Sequence, residues 1–513
     1  MGMRITTGMA MNTYRYNLQN STWNLTNSRN KVLTHRKFTS FAEDPSSAIQ
    51  AWRVRRAMMS TESYQKNNSD TYTRMNIAWV TMGTIKNKIA DPDGRMSDLY
   101  AANGPTGSGR RPLGQVINET AESVIQAMNS AKSGEDFIFA GDDELNAPFT
   151  WNTDRTILYY RGVNVNAGGV KSPAEAPEWA PKDANGKAAG NTDDAALAEA
   201  FRKNIPAGET DADRQWADYY KDTTGTATKP TSTAPDWVPK EANGDAVENT
   251  DAKLAQAYKD SLPAQGSEKY TQMSSAEQAW VDYYKNGGDR PDKVPAWAAD
   301  TEPRDDFGVP MKVKDILDDP NATEYDKAWA EYYKDQGDVQ KLKDMSEEEA
   351  NIDLGMGLLE DADGKLVPGT YFNRALPGIN MLGFGLDKDG DPNNICMILK
   401  RLGEIYSACD ADTGDYASPQ DEEDAMRLLN KLKDGVSFIT DRYSDIDAKG
   451  AFLQQNETRL KMQGDYLAEQ RADLEDVDLA DAITGFSWDY YCYSAALKVG
   501  TQLLSQSLID YMS

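Results

Sequence analysis

The sequence predicts a mainly α fold: a long, discontinuous coiled-coil helical bundle formed by both termini, with a small β region and an inserted array of small aromatic repeat modules. Three observations predict it. Apolar residues recur every seven positions at both ends, the ends differ in charge, and the middle repeats one Trp/Tyr pattern three times. Residues 1–60 hold nine Lys/Arg (Arg4, Arg15, Arg29, Lys31, Arg36, Lys37, Arg53, Arg55, Arg56) against Glu43 and Asp44. From Asp441 onward thirteen Asp/Glu stand against six Lys/Arg, and no proline follows Pro419. Such ends attract one another within a chain and between copies, which suits a polymer.

The first element, 1–44, sets Met11, Leu18, Leu25 and Val32 on one seam, with Tyr14, Ser21 and Ser28 on the next. That seam is part polar, so the helix needs a partner. Glu43-Asp44-Pro45 breaks it, and Ser46 or Ser47 is expected to cap a second helix within the bundle segment 45–140. The second helix carries Met75, Trp79, Met82, Ile85 and Ile89, and Asp91-Pro92-Asp93-Gly94 reads as its interruption. A third carries Ile117, Ala121, Val124, Met128 and Ala131 and stops at Ser133-Gly134. A β region is expected over 141–170.

After an expected β and loop return over 350–395, bundle helices resume over 396–476. There Leu453, Leu460, Leu467 and Leu474 lie seven apart, beside Asn456, Gln463, Gln470 and Val477. The phase slips at Asp476-Val477-Asp478. It resumes in the last element, 477–513, at Leu479, Ile483, Phe486, Tyr490, Tyr493, Leu497, Gly500, Leu504 and Leu508. Unbroken, residues 449–511 would span roughly 95 Å at 1.5 Å per residue, too long to bury a seam inside one compact domain.

The insert, 171–349, differs in kind. Three units each open with Pro-x-Trp, at Trp179, Trp237 and Trp297. Each closes with Trp-x-x-Tyr-Tyr-Lys, holding Trp216 and Tyr220, Trp280 and Tyr284, and Trp329 and Tyr333. Trp, Tyr and Tyr at i, i+3 and i+4 share a helical face, so each unit is expected to pack its own closing helix against its own opening tryptophan. The insert carries 22 Lys/Arg and 38 Asp/Glu, the balance of a solvated outer surface.

Composition narrows the chemistry. The net charge of −27 argues against nucleic acid or an anionic membrane as partner. No apolar run is long enough for membrane insertion, and the first thirty residues lack a signal-peptide core. His35 is the single histidine, so neither a His-based triad nor a multi-His metal site is expected, and no catalytic residue or cofactor is assigned. The Asp361–Gly364 and Asp387–Asp391 runs read as turns, because neither has the twelfth-position Glu of a calcium loop. Cys396, Cys409 and Cys492 read as buried free thiols.

With these features in place, the ends resemble the flagellin superfamily, and within it the subunits that join hook to filament. The resemblance runs from Met3-Arg4-Ile5 through Asn17-Leu18 to Glu43-Asp44-Pro45-Ser46-Ser47-Ala48. Phe137-Ile138-Phe139-Ala140-Gly141 followed by Pro148-Phe149 is similar to the junction subunits' signature, and Val477–Thr484 with Ser507–Met512 to their ending. It covers roughly 3–165 and 370–513; the insert has no counterpart. Thr34-His35-Arg36-Lys37 departs from the family pattern by placing His35 where glycine is usual, and Glu43 replaces an aspartate.

The resemblance implies a non-enzymatic extracellular subunit of the bacterial flagellum, exported unfolded by the type III apparatus with a chaperone. Its partners would be further copies, hook-associated proteins and flagellin. Its terminal helices would polymerise and its insert would face solvent. A major flagellin, and a secreted adhesin that binds glycans through the Trp/Tyr repeats, stand as alternatives.

Overall fold

The computed structural model describes residues 7–90, 99, 107–207 and 210–512; of 503–512 only the backbone is described. The Asp91–Gly94 interruption lies outside the described residues. The protein is mainly helical, 58% helix against 6% strand, with a few small sheets. In chain order the helices are α1 (Thr7–Thr34), α2 (Pro45–Ala90), α3 (Arg110–Ser130), α4 (Asp194–Lys203), α5 (Asp211–Lys221), α6 (Asp251–Ser261), α7 (Glu268–Thr271) and α8 (Ser275–Asn286). They continue with α9 (Val313–Asp318), α10 (Glu324–Ser346), α11 (Gly378–Leu382), α12 (Ile395–Ala408), α13 (Pro419–Glu475) and α14 (Leu479–Met512). The chain divides into two compact units. One is Met1–Met82, Glu349–Ala375 and Asp441–Ser513; the other is Gly83–Glu348 and Leu376–Thr440.

In the first unit, α1 is a weak helix by itself. Thr13, Thr22, Thr26, Ser28 and Thr34 each turn a hydroxyl back to the carbonyl four residues earlier. Helix α2 starts at Pro45, and its cap is Asp44, whose carboxylate accepts the Ser47 amide at 3.1 Å. Sequence pattern placed the cap two or three residues later, at Ser46 or Ser47. Proline at the first helical position explains the shift, because its missing N–H is one the helix would not have used.

Along α2 and α13 of this unit a polar layer interrupts the buried Leu453 and Leu460. Asn456 Nδ2 donates to Asn68 Oδ1 at 2.9 Å and to the Leu354 carbonyl at 3.2 Å, while Asn68 Nδ2 donates to the Leu453 carbonyl. A buried polar layer of this sort penalises any slip in register. The return segment crosses here, pairing β6 (Asn351–Ile352) with β7 (Phe372–Asn373) and stacking Phe372 on Phe452. Gln463 is exposed, so the partner seam read from spacing holds at Asn456 and fails one heptad later.

In the second unit, the expected face of α3 is buried at Ile117, Ala121, Val124 and Met128. It lies close against α12 because glycines meet there: a Cβ on Gly114 would sit 2.8 Å from the Gly403 carbonyl. Helix α3 ends at Ser130, and Ser133 already belongs to strand β1 (Lys132–Ser133), paired with β2 (Asp136–Phe137). A second antiparallel sheet joins β3 (Phe149–Trp151), β4 (Leu158–Tyr160) and β5 (Val163–Asn164), with Phe149 opposite Tyr160.

One turn is used five times. Glycines 186, 244, 308, 364 and 390 adopt φ of +76° to +86°, each donating its amide to the carbonyl three residues earlier. Only glycine takes that conformation without steric cost. At Asp183, Asp305, Asp361 and Asp387 the side-chain carboxylate accepts the amides two and four residues ahead, which closes a short hairpin. The Asp/Gly runs at 361 and 387 are therefore turns whose leading carboxylates hold backbone amides.

Candidate assembly surface

Helices α1 and α14 pack antiparallel, and their junctions meet. The chain after α1 and the chain before α14 pair as a short antiparallel bridge between Arg36 and Asp476. The Lys37 amide donates to the Glu475 carbonyl at 2.7 Å, and the Val477 amide to the His35 carbonyl at 3.1 Å. His35 has φ of +59°, the left-handed conformation that glycine adopts freely. Asp478 then caps α14 by accepting the Ala480 amide at 2.8 Å. At the far end Gly500 is buried beneath Tyr14, whose hydroxyl leaves no room for a Cβ.

On α1 the residues of the expected seam, Met11, Tyr14, Leu18, Ser21, Leu25, Ser28 and Val32, are all half-buried. On α14 the expected seam is only partly covered within the chain. Phe486 and Tyr493 are covered, but Leu479, Ile483, Tyr490 and Leu497 are exposed. The covered face is Ala482, Phe486, Asp489, Tyr493, Ala496 and Gly500. The side chains of Leu504 and Leu508 lie outside the described residues.

The choice of covered face has a steric cause. The joint at 475–478 fixes the start of α14, and Gly500 lets the Tyr14 ring approach the helix backbone. Alanine and glycine at positions 482, 496 and 500 were the available signal, and a search for large apolar residues passes over them.

The outcome is that both helices keep a second apolar stripe in solvent. On α1 it is Met9, Tyr16 and Trp23, spaced by seven, with Leu33 beyond; on α14 it is Leu479, Ile483, Tyr490 and Leu497, flanked by Trp488 and Tyr491. These side chains are 41–71% exposed. Large apolar side chains recurring along one exposed helix face are candidate positions for contact with another molecule, although on α1 polar Asn12, Thr13, Gln19 and Asn20 separate them. Helix α1 contains Arg15, Arg29 and Lys31 and no acidic residue, whereas Asp481 lies in the first turn of α14.

The Phe137–Gly141 motif is a structural corner. Phe139, Ala140, Gly141, Pro148 and Phe149 are buried, while Phe137 is half-buried under the Lys132 ammonium. The Phe139 carbonyl accepts the Tyr160 hydroxyl at 3.0 Å and the Gly378 amide at 2.8 Å. Gly141, at φ of +66°, leaves space that Glu348 uses to bind Arg161 at 2.5 Å. Burial pushes the Tyr160 hydroxyl well above its ordinary pKa, in keeping with a neutral donor.

Trp216, Tyr220, Trp280, Tyr284 and Trp329 are buried, with Trp179, Trp237, Trp297 and Tyr333 half-buried against them, but not as consecutive modules. The arm that opens the second unit, with Trp237, docks on α5 of the first, beside Trp216 and Tyr220. The first arm, with Trp179, docks on α8 of the second, beside Trp280 and Tyr284. Only the third arm, with Trp297, meets its own helix at Trp329 and Tyr333.

One contact is common to the three places and two more recur in two of them, while the Trp179 indole N–H has no partner among the described residues. Trp216, Trp280 and Trp329 donate their indole N–H to the carbonyls of Ser232, Pro173 and Pro291, each just ahead of the docked arm, at 3.1–3.2 Å. Tyr220 and Tyr284 donate to the Val247 and Ala189 carbonyls. Trp237 and Trp297 donate to Asp213 and Asp326 at 3.0 and 2.7 Å. The exchange follows from the links. Those of the first two units contain α4 and α6, which pack on each other through Leu197, Ala198, Leu254 and Ala255; the third contains only the six-residue α9.

Of the thiols, Cys396 and Cys409 are buried, and Cys492 is exposed because it lies off the covered face of α14. No described helix is long and apolar enough to cross a membrane. No protein-family model matches the chain, and comparison with curated proteins returns no match.

Proposed function

We propose that this protein is a structural subunit that polymerises through its terminal helices, joining hook to filament in a bacterial flagellum. The observation that carries the reading is the pair of uncovered stripes on α1 and α14. One face of each helix is satisfied within the chain, and the other needs a further helix. Adding one extends the pair into a multi-helix coiled coil, and because the contact joins different surfaces it propagates as a filament. The junction role rests on the resemblance of Phe137–Gly141, Pro148-Phe149 and Ser507–Met512. Export by the type III apparatus with a chaperone, and an extracellular location, follow from the same resemblance.

The insert is proposed to be a surface-exposed set of repeat modules that takes no part in the lattice. Its aromatic faces support a structural role rather than glycan stacking, because Trp216, Trp280 and Trp329 are buried and Trp237 and Trp297 spend their N–H groups on carboxylates.

Truncation tests the reading. Removing 3–40 or 477–513 is expected to abolish sedimentable polymer, while removing 171–335 is expected to leave it intact. Polymer from either end-truncated chain would overturn the proposal. Gold-labelled antibody on purified flagella should decorate the hook–filament boundary; label along the whole filament would instead indicate a major flagellin.

A further inference from the structure

The segment joining α1 to α2 folds over the start of α2 and leaves an open groove of about 600 Å3. Arg36, Phe38, Phe41, Trp52, Arg53 and Arg55 line it. Phe41 and Trp52 are each 60% exposed. The single carboxylate in the wall, Glu475, is buried and paired with Arg55 at 2.6 Å. The groove is therefore lined by exposed aromatic and cationic side chains.

The same unit projects a feature of opposite character. Residues 359–367 form a hairpin closed by the Val367 amide on the Leu359 carbonyl at 2.9 Å and the Asp361 amide on the Lys365 carbonyl at 2.8 Å. Every residue from 357 to 365 is exposed. Leu358 and Leu359 present their side chains to solvent next to Glu360, Asp361 and Asp363. A hydrogen-bonded turn holds these groups in place before any contact, which lowers the entropic cost of docking.

We infer that the 359–367 hairpin of one copy seats in the α1–α2 groove of the next. Leu358 and Leu359 cover Phe41 and Trp52, while Glu360 and Asp363 face Arg36 and Arg53. Charge complementarity favours this occupant: Arg36 and Arg53 line the groove, and the hairpin carries Glu360, Asp361 and Asp363 against Lys365 beside two exposed leucines. Plug and socket are different surfaces, so the contact runs head to tail without closing. The inference rests on the polymer reading and adds to it a specific contact away from the α1–α14 stripes.

The test uses full-length chains in which Cys492→Ser removes the exposed thiol. One preparation carries Leu359→Cys and the other Phe41→Cys; they are mixed, oxidised and read on non-reducing gels with peptide mapping. The 359–41 heterodimer is expected at no less than fivefold over either homodimer. Glu360→Lys with Asp363→Lys should lower its yield at least fivefold, and Arg36→Glu with Arg53→Glu in the other chain should restore it to within twofold. Equal homodimer and heterodimer yields in chains that polymerise would overturn the contact but leave the subunit reading standing. So would an intrachain link in a double Cys variant that outcompetes the link between copies. A heterodimer without polymer would keep the contact and overturn the polymer reading, and the absence of both would sink both.

Discussion

The Val477 amide donates to the His35 carbonyl at 3.1 Å, so the interruption after α1 and the interruption before α14 form one joint. Two breaks more than four hundred residues apart in sequence thus fix the end of α1 and the start of α14 together. One face of α14 is covered inside the chain, and an apolar stripe on the other stays exposed.

His35→Gly tests the joint. A non-glycine residue in the left-handed region costs roughly 1 kcal/mol, and the greater freedom of glycine in the unfolded chain returns part of that gain. A net stabilisation of about 0.5 kcal/mol is expected, read as slower hydrogen exchange at the Val477 amide. Faster exchange would mean that the imidazole itself holds the joint.

Inner and outer faces of the terminal pair should respond differently. Gly500→Ala drives a methyl into Tyr14 and is expected to weaken α1–α14 pairing by about 1–3 kcal/mol, visible as lost helicity. Trp23→Ser with Ile483→Ser changes exposed positions. It should leave helicity unchanged while raising the concentration needed for sedimentable polymer at least tenfold. Helix loss in the Ser variant would show that the outer stripe is not free.

The exchange of arms has a thermodynamic signature. In a double-mutant cycle, Trp237→Ala and Tyr220→Ala should couple by about 1 kcal/mol, the range for aromatic pairs in contact. Trp179→Ala and Tyr220→Ala, which belong to one unit by sequence but to different cores, should add without coupling. The reverse pattern would restore consecutive modules.

Acid should loosen the hairpin that contains Asp387. Burial raises its pKa, but the Lys431 ammonium and the Asp389 and Asp391 amides outweigh burial and hold it below the usual carboxylate range. Asp424 is held low by Gln420 and, against burial, by Arg427. Both native pKa values are depressed, so the stability these groups contribute is present above about pH 4, the unfolded value, and is lost as pH falls through the lower native values. Urea unfolding of the full chain between pH 6 and pH 2 should show this loss, and Lys431→Met should flatten part of it. An unchanged profile in that variant would remove Asp387 from the account.

Much of the fold was legible before any coordinates. The heptad of α1, the buried faces of α2 and α3, the slip at 476–478 and the Asp/Gly turns all follow from local rules, because spacing dictates which side chains share a face and only glycine accepts the turn geometry cheaply. Spacing does not say which of two apolar faces meets a partner. On α14 the covered face is the one that holds Ala482, Ala496 and Gly500, with Gly500 beneath Tyr14, and Leu479 and Ile483 stay exposed.

Nor do repeats that present the same aromatic groups specify their own pairing. Trp179 and Trp237 share the same Pro-x-Trp context and each could meet either Trp-x-x-Tyr-Tyr helix, and the path of α4 and α6 between them goes with the seat each one took. Sequence alone determined the parts and their local shapes. Tertiary structure determined the partners, because equivalent surfaces compete and only chain geometry separates them.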